Sequence, residues 1–195
     1  MAANGGDRDH VPERQTRAPV VVRAIDRVNG WLGSLSAWLV VIMVVVGAFN
    51  AFARYLGRYI GVNLSSNAYL ELQWYLFSLV FLLGGAWALR DGAHVRVDVF
   101  YERVSHRVRR WITVLGTLLL LLPFTVFSIW VAIPFVRNSW RVHEGSPDPG
   151  GLPRYPLKTM VIVGFALLAL QGVSELVKAL RDRGEPPKDG TSVLR

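Results

Sequence analysis

Four apolar runs, each long enough to cross a lipid bilayer, constrain this chain more than any other feature. They fall at about residues 31–53, 69–89, 111–136 and 158–180. A run of about 23 residues wound as an α-helix reaches roughly 34 Å, against a hydrocarbon core of about 30 Å. Within that core every backbone N–H and C=O must be paired inside the protein, which favours helix. A soluble domain of 195 residues is seldom 52% apolar with that content concentrated in four blocks. The expectation is an all-α integral membrane protein with four transmembrane helices.

The stretch at residues 71–101, ELQWYLFSLVFLLGGAWALRDGAHVRVDVFY, organises the rest. It joins the second apolar run to an abrupt stop at Arg90-Asp91-Gly92 and a basic segment. Wound as a helix, residues 90–110 put Val97, Phe100, Val104, Val108 and Trp111 on one side. Arg96, Arg103, Arg107 and Arg110 flank them and can snorkel toward headgroups. This predicts a cytoplasmic amphipathic helix lying in the membrane plane between spans two and three. Its first residues are poor helix formers, because Asp91-Gly92 is a turn signal and the valines that follow alternate. A solvated loop is the competing reading.

Domain organisation follows: a cytoplasmic N-terminal tail and interfacial lead-in (1–30), a four-helix membrane domain (31–180) and a cytoplasmic C-terminal tail (181–195). Both tails are charged and contain proline, which predicts disorder at their ends. Residues 54–68 form the first loop, with Ser65 and Ser66 as candidate caps for the next helix. Glu71 lies in the first turn or so of the second span. A carboxylate in hydrocarbon is costly, so Glu71 belongs at the boundary or against protein, with Arg54 as its expected partner. Gly84, Gly85 and Ala88 give the second span a smooth surface for a neighbour. Pro123 and Pro134 fall inside the third span and each removes an amide donor. Residues 137–157 are dense in proline and glycine. They present Trp140, Arg141, His143, Glu144, Arg154 and Tyr155, which suits contact with a soluble protein and equally suits a solvated linker. Gln171, Ser174 and Glu175 predict that the fourth helix leaves the bilayer before it ends.

Orientation comes from the basic residues. The two tails and the 90–110 connector hold 15 of the 22 Lys and Arg, against 5 in the other two loops. The positive-inside rule then puts both termini and the connector in the cytoplasm. The net charge of +8 serves headgroups rather than nucleic acid, since the arginines sit beside the apolar runs. With no cysteine, disulfides, thiolate metal sites and cysteine nucleophiles are excluded. His10, His94, His106 and His143 all lie outside the spans, which argues against a haem anchor. Metalloprotease, P-loop, dinucleotide and serine-hydrolase motifs do not occur.

The segments ELQWYLFSLVFLLGGAWALRDGAHVRVDVFY and RRWITVLGTLLLLLPF resemble the small permease (DctQ-type) subunit of tripartite ATP-independent periplasmic (TRAP) transporters. SWRVHEGSPDPGGLPRYPLK and GFALLALQGVSELVK are similar to the same family. The resemblance covers roughly residues 31–178, and HVRVDVFY at 94–101 is its most distinctive phrase. It implies a non-catalytic subunit of the bacterial inner membrane that scaffolds a large permease. Uptake would be of an organic acid delivered by a periplasmic binding protein, with sodium coupling at the large subunit and no cofactor here. Partner contacts expected on that basis are Trp74, Gly84, Gly85 and Ala88 toward helices, and Arg96, Arg103 and Arg107 toward headgroups or cytoplasm. Trp140, Glu144 and Arg154 would face the binding protein. The alternative is a stand-alone proton-coupled transporter using Glu71.

Overall fold

The computed structural model describes residues 19–62, 64–92 and 105–181. Its elements are α1 (Val20–Ile60), α2 (Asn67–Arg90), α3 (His106–Gly116), a π-helical turn (Thr117–Leu121), α4 (Leu122–Arg141) and α5 (Tyr155–Arg181). From α3 through the π turn to α4 the chain forms one rod, so four helical rods are long and apolar enough to cross a membrane. No strand occurs among the described residues. Most of the expected in-plane helix, with Arg96 and Arg103, lies outside the described residues, as do most of the N-terminal tail and nearly all of the C-terminal one.

The helices outrun the apolar blocks that announce them. α1 is a single helix of 41 residues, about 60 Å at 1.5 Å per residue. The lead-in before residue 31 and the expected loop residues 54–60 are both part of it. No proline interrupts this stretch, and the polar lead-in residues find partners on α5, so nothing stops the helix early. It ends at Gly61, whose φ of 71° is the left-handed conformation that closes a helix C-terminus. α2 starts at the N-cap Ser66, whose hydroxyl accepts from the Ala68 amide at 3.2 Å.

Pro123 cannot donate to the carbonyl four residues back, and its ring crowds it. The π turn immediately before it widens the ladder there. At Pro134 the α-helix continues on both sides.

α5 is the hub. It packs against α1, α2 and the whole third rod, whereas α1 and α2 contact chiefly each other and α5. Among the described residues the third rod therefore leans chiefly on α5, and the bundle is open on one side. Neighbouring backbones approach closely at small residues: a Cβ at Gly164 would lie 2.9 Å from Leu82 Cβ, and one at Gly33 would overlap the Trp87 indole. The fully buried residues are small or polar (Ala86, Thr125, Ser139, Gln171), while Phe81, Trp38 and Trp130 point outward. This inversion suits a protein surrounded by lipid, where close van der Waals fit rather than apolar burial joins helices. One end of the bundle gathers the starts of α1 and α3 and the ends of α2 and α5. The other gathers the α1–α2 turn and the loop between α4 and α5.

Candidate functional site

At the loop end, α2 presents Asn67, Glu71 and Tyr75, four residues apart and hence stacked on one helix face. Each grips the loop that joins α4 to α5. Asn67 Nδ2 donates to the Pro149 carbonyl at 3.1 Å. Glu71 accepts from the Ser146 hydroxyl and from the Leu152 amide, one through each carboxylate oxygen. The Tyr75 hydroxyl lies 3.2 Å from the carbonyls of both Leu152 and Pro153. Glu71 is only 3% exposed, so its charge is held by these donors rather than by water. The expected pairing with Arg54 does not form. Arg54 is exposed on α1, and the carboxylate faces the loop instead.

The loop is correspondingly folded. Ser146 Oγ accepts from the Asp148 amide, the Gly151 amide donates to Asp148, and the Arg154 amide donates to Glu144 at 2.9 Å. His143 and Gly150 adopt positive φ, 46° and 74°, which turns the chain back on itself twice. A Cβ at Gly151 would meet Ser146 and, at 2.7 Å, a Glu71 oxygen, so only glycine fits over the carboxylate. Beside this clamp, Glu144 pairs with Lys158. Trp140 Nε1 donates to Thr159 Oγ1 at 2.8 Å, and its indole packs on Tyr155 with centroids 4.6 Å apart. The Arg154 guanidinium lies over the Trp74 ring at 5.9 Å.

The Lys158 ammonium, with the Ser139 hydroxyl beside it, holds the Glu144 carboxyl below the usual carboxylate range. A depressed folded value means the contribution is present above the unfolded pKa, about 4.3, and lost as pH falls through the folded value. Because the chain has no cysteine, a single spin label at Asp148→Cys reports on the loop cleanly. Its mobility should stay constant down to about pH 4.3 and rise below it. In Glu144→Gln the acid-induced rise should be smaller, what remains belonging to the Glu71 carboxylate that holds the same loop.

Of the expected contact residues, Glu71, Trp74, Trp140, Glu144 and Arg154 come together at the loop end. Gly84, Gly85 and Ala88 lie on the other half of α2. Among the described residues, nothing beyond the neighbouring helix backbone lies within 4 Å of where a Cβ at Gly84 or Gly85 would stand. Arg107 is exposed in the first turn of α3, at the opposite end. Asn67, Tyr75 and Ser146 are clamp residues that sequence reasoning missed. The four-residue spacing of Asn67, Glu71 and Tyr75 was the available signal.

A second polar cluster joins α1 to α5 at the terminal end. Asp26 Oδ1 accepts from Gln171 at 3.0 Å, Ser174 at 2.9 Å and Lys178 at 3.0 Å. Asn29 donates to Gln171 Oε1 at 2.7 Å, and Lys178 also meets Glu175 at 2.7 Å. Asn29, Gln171 and Ser174 are essentially unexposed. The polar residues Gln171 and Ser174 of α5 thus sit against α1.

In each cluster a serine hydroxyl, Ser146 or Ser174, donates to a carboxylate, and that bond ties one segment of the bundle to another. Among the described residues no group of three or more His, Cys, Asp or Glu could hold a metal.

Comparison with known proteins accords with this. The profile of the DctQ component of tripartite ATP-independent periplasmic transporters matches residues 43–182. The chain is 29% identical over 112 residues to the C4-dicarboxylate TRAP transporter small permease protein DctQ of Pseudomonas aeruginosa, a match over 55% of this chain and 52% of the relative. It thus aligns with about half the length of that curated relative. No solved structure matches it. Since the family profile spans most of the chain, this protein belongs to the DctQ component family of tripartite ATP-independent periplasmic transporters, a transport component and not an enzyme.

Proposed function

We propose that this chain is a static brace for a large permease subunit and presents its clamped loop to a periplasmic substrate-binding protein. It resides in the bacterial inner membrane with both termini cytoplasmic, in keeping with the 15 to 5 asymmetry of basic residues. The clamped loop then faces the periplasm. The observation that carries this reading is the anchoring of that loop by Asn67, Glu71 and Tyr75. A surface held in one conformation loses little entropy when a partner docks. Trp140, Glu144 and Arg154 offer the aromatic and charged groups for such a contact. The open side of the bundle, with the unfilled surface at Gly84 and Gly85, is available to transmembrane helices of the large subunit. The transported solute is an organic acid, in line with the dicarboxylate named for the Pseudomonas relative, and sodium coupling resides on the large subunit. The alternative that Glu71 relays protons finds no support, because both its oxygens are committed to the loop.

Detergent extraction of the tagged chain from its native membrane tests this. A much larger polytopic subunit should co-purify in constant ratio. Recovery of the chain alone under conditions that preserve such complexes would contradict the proposal.

A further inference from the structure

Between the loop-end halves of α2 and α5 runs an open groove of about 430 Å³. Trp74, Phe77 and Phe81 form one wall, Leu157 and Val161 the other, and Arg154 and Lys158 stand at its mouth. From Trp74 to Phe81 the wall is about 10 Å long. Phe77 and Phe81 are 58% and 72% exposed, so the groove opens sideways onto the apolar flank of the bundle.

The two cations at the mouth are not equivalent. Lys158 is engaged by Glu144 and lies 4.0 Å from the Phe135 ring centroid. Arg154 stacks on Trp74, yet its Nε is buried without a hydrogen-bond partner. That atom is closed off from the groove, so an occupant would meet the terminal guanidinium nitrogens, whose planar fork matches phosphate oxygens bidentately. Glu71 and Glu144 lie close enough to attract Arg154, but their hydrogen bonds go elsewhere, Glu71's to Ser146 and Leu152 and Glu144's to Lys158.

The occupant of this groove must be anionic at one end, apolar for about 10 Å, and able to enter from the hydrocarbon side. A helix from another protein offers the apolar part, but it would have to carry a carboxylate into the interface. A phospholipid has both parts in the required order, phosphate at headgroup level and acyl chain below. We propose that this groove binds one phospholipid, with its phosphate on Arg154 and an acyl chain along Trp74, Phe77 and Phe81. The site depends only on the helices crossing a membrane, so it stands or falls separately from the assignment of partners.

Native mass spectrometry of the full chain, relipidated with phosphatidylethanolamine and phosphatidylglycerol, tests it. One phospholipid should survive a collision energy that strips the rest. Arg154→Gln should lower the retained fraction about tenfold, the loss of one charge-assisted pair. Val161→Trp, which fills the groove and leaves Arg154 in place, should lower it comparably. Equal retention in wild type and both variants would mean loosely held annular lipid and would overturn the proposal. Displacement of the adduct by millimolar inorganic phosphate would assign a free-anion site instead. If the complex with the large subunit lacks the adduct and Phe81→Cys cross-links to that subunit, the groove belongs to a protein helix.

Discussion

Replacing Glu71 with alanine should release the loop between α4 and α5 while leaving the four helical rods intact. The carboxylate is the acceptor for the Ser146 hydroxyl and the Leu152 amide, and it lies against Gly151. Hydrogen bonds to a charged group are the stronger kind, and losing this one strands two donors at a time. Hydrogen exchange at the Leu152 amide should quicken at least about tenfold. Amides in the middle of α2 and α5 should keep their protection. Glu71→Gln retains one oxygen and should fall between wild type and alanine, and Tyr75→Phe should loosen only the Leu152–Pro153 side. If the loop is the docking surface, Glu71→Ala should raise the concentration of binding protein needed for uptake more than it lowers the maximal rate. Unchanged exchange at Leu152 would show that the clamp contributes nothing to loop order.

At the opposite end, Asp26→Ala should be the most destabilising single change. One carboxylate accepts from Gln171, Ser174 and Lys178 together, so its removal strands the Ser174 hydroxyl and leaves Gln171 and Lys178 with Glu175 as their remaining acceptor. Breaking a fully buried ion pair costs about 3–5 kcal/mol. Asp26 and Lys178 retain 24% and 34% of their side-chain exposure, and solvent screening reduces the expected loss to about 2 kcal/mol. Denaturation in mixed micelles should register that loss, and labels at the ends of α1 and α5 should separate. A cycle with Gln171→Leu should be non-additive, because both changes break the same network. Additive losses would mean that the two side chains act independently.

These two clusters mark where local sequence information ran out. The spans were legible because a bilayer imposes length and apolarity on each segment by itself. Partner-dependent features were not. Residues 142–154 contain three prolines and three glycines, a composition shared by solvated linkers. What folds them is a carboxylate 75 positions away from Ser146 and 81 from Leu152. Glu71 does lie against protein, one of the two places expected for it, but its partners are in the loop rather than on the neighbouring helix. Likewise the partner that gathers Gln171, Ser174 and Lys178 is Asp26, about 150 positions away on the first helix, which no local pattern in the fourth span announces. α1 begins before its apolar block for the same reason: Asp26 and Asn29 of the lead-in meet α5.

The central claim is that the chain supports transport without conducting solute. Proteoliposomes containing this chain alone, the large permease subunit alone and both together, each supplied with loaded binding protein and a sodium gradient, test it most directly. The account predicts substrate uptake only where the large subunit is present, reaching full rate only with both. Uptake by liposomes that contain this chain alone would contradict it.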